Sequence, residues 1–468
     1  MMTFDNFAER ENPGGVLKSS ILILIAFATA FAPRIFETAG FPSFVNFIHF
    51  VTVPVACIIT LTTARLNRQQ KGIVDALMAG LLVLFMVMLG SALLNRAGLI
   101  NVAVDYLLLT EPVLLFLALA SLPLTPKSYI TLQNWFYRFS FLHIALIILQ
   151  FIVFRVLGMA ILEAKPNNPD YVQGIFYHSG AGHVVGASVS LSFGVYFFLT
   201  AKQFAWPLRL IVLGVTFWGM LISDAKQVIL TFMVAGVLLW FTQLKDLAKG
   251  LQYLCSGAIL GGAFLWAVQN IPAFDAFNTW IRPDIYGPNG EATLLKTAAL
   301  RIIPHYFQTP FHPWLGMGPG HTIGRLGGWM LREYGDLLDP LGATRHPITA
   351  DVWKAVGQSW LGNQSSMFSP LFGWAGIWGD LGLLGLAVYL YLGFVVWRYL
   401  CTDNLSQFFL LSIAVFGLIF SQMEEPGYML SITFMIGLQW HYNRLKQQAL
   451  EEEWYYTQYS DDYLSLQE

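Results

Sequence analysis

Three short stretches carry residue types whose spacing could do chemistry. The first, Trp314-Leu315-Gly316-Met317-Gly318-Pro319-Gly320-His321, combines glycine turns, backbone N–H groups able to approach an anion, and a histidine beside them. It follows Arg301 by a short interval. No strand precedes it and no Gly-Lys-Ser/Thr follows, so it is not a nucleotide-binding fingerprint. The second, Ser223-Asp224-Ala225-Lys226-Gln227, sets two charges between two apolar runs, where charge is costly and marks function by default. Two readings stand for it: an Asp224–Lys226 pair capping a helical hairpin, or Lys226 offering a cation to a phosphorylated lipid head group. The third runs from Tyr171 to His183 and holds Gly174, Gly180 and Gly182, whose small size permits close helix packing. His178 and His183 are spaced wider than a helical ligand pair, and no Asp, Glu or Cys set accompanies them, so no metal site is expected there.

The elements that must position these stretches are membrane helices. Of 468 residues 56% are hydrophobic and only 12% charged, against about 25% charged in a soluble domain. With a mean hydropathy of +0.57 the bilayer must be the solvent for most of the chain. A net charge of −2 removes the electrostatic case for nucleic-acid binding. Cys57, Cys255 and Cys401 are far apart and form neither a disulfide framework nor a redox motif. About twelve apolar runs reach spanning length, at 16–33, 45–64, 73–94, 99–122, 139–158, 183–201, 207–223, 227–244, 251–272, 371–396, 405–421 and 427–441. The first lacks a small-residue cleavage site and is expected to be retained.

Lys and Arg set the orientation. Arg65, Arg68, Lys71, Lys127, Arg138, Lys202 and Arg209 cluster beside alternate connections, which places the N-terminus in the cytoplasm. An even number of spans returns the C-terminus there, with an acidic, tyrosine-rich tail at 446–468. The chain then divides into spans at 1–272, a large outer (periplasmic) loop at 273–370, and further spans at 371–445. That loop balances its bases against its acids and contains His305, His312, His321 and His346. Within it, Leu295, Ala298, Ala299, Ile302, Ile303 and Tyr306 fall at helical spacing, predicting one amphipathic surface helix over Thr293–Phe307.

The order of these motifs resembles the O-antigen ligases and O-antigen polymerases of bacterial surface-polysaccharide assembly. Gly174-Ile175-Phe176 looks like the family's Gly-Thr-Phe element. Ser223 to Lys226 stands where the family has a Ser-Arg pair opening a helix. Arg301 followed by Gly316-Met317-Gly318-Pro319-Gly320 is similar to its Arg and Gly-x-Gly-Pro-Gly in the large loop. Gly379-Asp380-Leu381-Gly382-Leu383-Leu384-Gly385 resembles the Glu-Leu-Gly-Leu-x-Gly that begins its next span. The likeness covers about 170–400. Two departures stand out: Lys226 replaces an arginine and so loses the planar fork, and the family's His-Asn is missing, with Asn363-Gln364-Ser365-Ser366 roughly in its place.

The resemblance implies an all-α polytopic membrane protein of the GT-C glycosyltransferase type in the bacterial inner membrane. Its donor would be a polyprenyl-pyrophosphate-linked glycan and its acceptor a second glycan or a lipid. Membrane lipids and polysaccharide assembly or export proteins would be its other partners. Leaving pyrophosphate develops negative charge, which fixed cations stabilise, and Arg301 and Lys226 are the candidates. The attacking hydroxyl needs a base; His321 is the first choice, with His305 and His346 behind it and Gly318 and Gly320 as substrate-binding backbone. No cofactor or metal is expected. Each has a plainer alternative: Arg301 snorkelling from a surface helix, His321 packing its loop, and Asp380 as either a packed carboxyl or a cation's partner. The rival classes are a twelve-span secondary transporter and a non-catalytic component of an export assembly.

Overall fold

The computed structural model describes residues 19–465, apart from 124, 161–167, 178, 244–246, 281 and 365. His178, Lys165, Ser365 and the start of the first apolar run therefore lie outside the described residues. Among the described residues the chain forms helices and no strand. With no water in hydrocarbon to satisfy the backbone, a segment of this hydropathy must close its hydrogen bonds internally.

The long helices are α1 (Ser19–Phe31), α2 (His49–Thr63), α3 (Arg68–Asn95), α4 (Leu99–Ser121), α5 (Pro126–Gln150), α6 (Gly182–Thr200), α7 (Trp206–Ile222), α8 (Gln227–Thr242), α9 (Leu247–Asn270), α10 (Gly373–Tyr399), α11 (Asn404–Ile419) and α12 (Pro426–Ser465). Among the described residues six helices are long and apolar enough to cross a membrane: α2 with the turn before it, α3, α4, α5 with the turn after it, α6 and α10. Helices α1, α7, α8 and α11 are apolar but shorter. The chain is an all-α membrane protein. Helix α5 begins well before the apolar run at 139–158, because Gln133, Asn134 and Arg138 lower the hydropathy of its first turns without breaking the helix. Asn67 and Gln70 form a reciprocal capping box that starts α3.

Helices α4 and α12 run through the middle. Helix α4 is buried along most of its length, and α12 is buried at Tyr428, Phe434 and Trp440. Helix α12 packs on α4, α6 and α1; α2 packs on α4, and α3 on both α4 and α10. Phe136 stacks on Phe434, and Phe27 packs against both rings, where α1, α5 and α12 meet.

The predicted single helix over Thr293–Phe307 is a correction. The chain instead makes two short helices, Glu291–Lys296 and Ala298–Ile302, and a final turn at Ile303–Tyr306. Pro304 has no N–H to continue the ladder, and Thr297 already departs from helical angles. The apolar positions Leu295, Ala298, Ala299 and Ile303 are buried, and these helices pack on Trp360–Gln364 and Pro347–Gln358. Lys296 turns inward with them. Its Nζ donates to the carbonyls of Ser369 at 2.9 Å and Ile419 at 3.0 Å, over the Phe372 ring.

Candidate functional site

The glycine loop is locked to α10 backbone to backbone. The N–H groups of Met317 and Gly318 donate to the carbonyls of Gly379 and Asp380 at 2.8 and 3.0 Å. Those carbonyls are exposed because α10 breaks at Gly382, where φ is 65° and ψ is −164°. Close approach requires glycine on both sides. A Cβ on Gly382 would lie 2.4 Å from the Trp314 carbonyl, and one on Gly316 2.4 Å from that of Asp380. The Asp380 carboxylate, fully buried, accepts from Gly320 N at 3.1 Å, Thr322 N at 2.8 Å and Thr322 Oγ1 at 2.7 Å. Asp380 thus pairs with the loop's N–H groups rather than with a cation. Asn95 and Asn101 hold the loop from below, donating to the carbonyls of Gly316 and Pro319, both at 3.0 Å.

His321 is buried in this lock. Its ring bonds the Met317 carbonyl through Nδ1 at 3.0 Å and Thr344 Oγ1 through Nε2 at 2.8 Å. Burial holds its pKa below the ordinary imidazole value, so Nδ1–H donates and Nε2 accepts. The His346 ring lies 5.7 Å from it, tilted by 30°, and accepts from Ile348 N with Nδ1, capping the Pro347–Gln358 helix. The structure therefore brings Gly318, Gly320, His321 and His346 together. It does not bring the cations to them. Arg301 is exposed and donates to the Leu294 carbonyl at 2.6 Å. His305 is exposed on the following turn. Lys226 stands at the start of α8 with Nζ 2.6 Å from Asp224 Oδ1, the ion pair of the capping reading.

A cavity opens beside the lock and is built from other residues. It measures about 190 Å³ and lies between Gly180 just before α6, Val184 in its first turn, the segment from Gly324 to Trp329, Trp353, and the α11–α12 connection. Arg325 projects into it, 7% exposed, with Cζ 4.9 Å from the Trp329 ring and Nη2 paired with the buried Glu425 carboxylate. The neighbouring Glu424 turns the other way and accepts from the Arg325 backbone N–H. Burial pushes the Glu424 carboxyl up to about 8. The two glutamates diverge because 421–424 is a tight turn and Glu425 is extended before Pro426 opens α12. Gln422 fastens this turn to α6 through Ser188 Oγ at 2.8 Å.

Arg34 also reaches Trp329, with Cζ 5.6 Å from the same ring and a 2.9 Å ion pair to Glu37. Two guanidinium groups thus lie against one indole at the end of the bundle that carries the 273–370 segment. Such an arrangement can hold a phosphorylated group against an aromatic wall. Sequence reasoning passed over Arg325, Glu425 and Arg34. The available signals were the Arg325/Trp329 spacing of one helical turn and the adjacent Glu424 and Glu425 between two apolar runs. No model of a known protein family matches the chain, and no curated protein does.

Proposed function

We propose that this protein is a membrane glycosyltransferase of the O-antigen ligase or polymerase type, with twelve spans and a GT-C-like plan. It moves a glycan from polyprenyl diphosphate to an acceptor glycan or lipid at the outer face of the bacterial inner membrane. The observation that carries this reading is the buried Arg325–Glu425 pair in a tryptophan-lined cavity where the large segment meets the helix ends. In transfer, the acceptor oxygen bonds to the anomeric carbon, the bond from that carbon to phosphate oxygen breaks, and the electron pair leaves on the diphosphate. Arg325 is the cation beside that developing charge, in a setting of low dielectric where one fixed donor contributes about 3–4 kcal/mol. Glu425, released from Arg325 as the diphosphate takes its place, accepts the hydroxyl proton. Trp329 and Trp353 form part of the wall against which the sugar sits. His321 serves by holding the loop, and Arg301 and Lys226 meet the anionic head group on its approach.

A transporter would use the break in α10 as its substrate site. In this protein the loop's own N–H groups already occupy the carbonyls at that break, which favours transfer over transport.

The test avoids leaving one charge buried alone, since that costs about 3–5 kcal/mol of folding. Arg325→Gln combined with Glu425→Gln keeps the shape and removes both charges. Purified in detergent and given a lipid extract of the native cells, the double variant should release free polyprenyl diphosphate about 100-fold or more slowly than wild type, at normal folded yield. Release within threefold of wild type would sink the assignment.

A further inference from the structure

A second, smaller chamber adjoins the first. It measures about 30 Å³ and shares Arg325, Trp329 and Glu425 with the larger cavity; its other walls include Arg34, Asn46 and His49. That is room for one or two waters. Asn46 Oδ1 is buried with no hydrogen-bond partner, the kind of orphan that an ordered water satisfies.

His49 is 5% exposed and belongs to the start of α2. Its Nδ1 lies 2.7 and 2.9 Å from the two carboxylate oxygens of Glu111 on α4, itself fully buried. A carboxylate on Nδ1 fixes the tautomer, so Nδ1 carries the proton and Nε2 presents a lone pair. Nε2 makes no hydrogen bond to any described residue, and the ring forms part of the chamber wall that Glu425 also forms. As a structural device the pair is poor, because two buried charged or half-charged groups stabilise no better than a packed apolar pair.

We infer that the His49–Glu111 pair is the proton acceptor of the transfer site, reached from Glu425 through a water in the small chamber. This rests on the transfer reading above. The acceptor hydroxyl gives its proton to the Glu425 carboxylate as its oxygen bonds to the anomeric carbon. Glu425 then hands a proton to the chamber water, which passes one to His49 Nε2, leaving an imidazolium beside the Glu111 carboxylate and restoring Glu425. Around this chamber the charged and titratable groups are Glu111 from α4, Arg34 from the Pro33–Thr38 helix, Arg325 and Tyr334 from the large segment, and Glu425 before α12. Glu37 reaches it through Asn46 at 2.7 Å. With Arg34 tied to Glu37 and Arg325 to Glu425, His49 Nε2 is the ring nitrogen left without a partner among the described residues.

Two variants test this. His49→Gln keeps a donor toward Glu111, and His49→Leu with Glu111→Leu replaces the whole pair by apolar side chains. Each is measured in detergent for binding of farnesyl diphosphate and for release of polyprenyl diphosphate from the native lipid extract across pH 6–9. The expected result is wild-type farnesyl diphosphate binding in both, with release slowed about 100-fold or more and rising with pH as hydroxide substitutes for the lost base. If the leucine pair folds and releases within threefold of wild type, the pair is structural and this inference alone falls. If His49→Gln keeps the wild-type rate and pH profile, it falls as well. Wild-type protein that neither binds the probe nor releases product would remove the transfer reading and this inference together.

Discussion

Arg325 and Glu425 hold each other in a place where neither could stay charged alone, and a ligand that displaces Glu425 gains the same cation. In sequence only a tryptophan one helical turn on, Trp329, separates Arg325 from Arg301, which the glycine motif recommended. Helical spacing does not say that Arg301 ends on an exposed turn bonded to the Leu294 carbonyl while Arg325 lies buried against the Trp329 ring. Lys226 is where the two readings made from sequence still divide. Its ion pair with Asp224 is present, and Asp224 adopts a left-handed φ of 53° to make the turn. If the pair only caps the hairpin, Lys226→Gln and Asp224→Asn should both lower folded yield at normal activity per molecule. If Lys226 meets the diphosphate, Lys226→Gln alone should lose activity several-fold at normal yield, and Lys226→Arg should keep it. Fluorescence-detected gel filtration beside the release assay separates these outcomes.

The glycine loop and the break in α10 work as one element. Both motifs were legible in the sequence and so was their order; that one inserts into a gap in the other was not, because hydropathy reads 371–396 as a continuous apolar run. The kink is visible only through φ at Gly382. Gly382→Ala should therefore cost more than the about 1–2 kcal/mol of a left-handed residue, since its Cβ would also meet the Trp314 backbone. It should free the loop for proteolysis between Trp314 and His321 while leaving the helices intact. The short helix at Glu291–Lys296 was misread for a similar reason: an apolar stripe shows which face is buried, not that Lys296 is buried with it. Burial pushes Lys296 down to about 7. Between there and the free-lysine value near 10.5 the unfolded chain binds the extra proton, so stability rises with pH through that window, by at most about 1.4 kcal/mol per unit. Below pH 7 both states are charged and the burial penalty is fully present. Thermal unfolding at pH 6, 7.5 and 9 should show this rise in wild type and lose it in Lys296→Met; an unchanged slope would remove Lys296 as its source.

At the scale of the molecule, the structure gathers alternate connections at one end. Arg34 and Asn46 from between α1 and α2, Gly180 from before α6, and Glu425 from between α11 and α12 all face the 273–370 segment around the two cavities. Gly98, between α3 and α4, joins them through Thr344 at 2.9 Å. Asn67 and Asp403, which cap α3 and α11, belong to the connections of the other set. Such an arrangement suits a chain that crosses a bilayer repeatedly, since each second connection then returns to the same side. Sidedness itself is a separate matter, and it decides the chemistry: a polyprenyl diphosphate glycan presented on the outer leaflet reaches Arg325 only if the cavity end faces outward. Impermeant maleimide applied to intact spheroplasts can decide it. Cys57 and Cys401 are buried, and Cys255, which is exposed, is first replaced by Ser. In that background a cysteine at Gly342, on the large segment, should label without permeabilisation, and one at Gln69, beside the α3 cap, should label only after it. The reverse pattern would put Arg325, Glu425 and His49 on the cytoplasmic side, where a lipid-linked donor already carried outward could not meet them, and the transfer reading would have to be given up whatever the variants at those residues do.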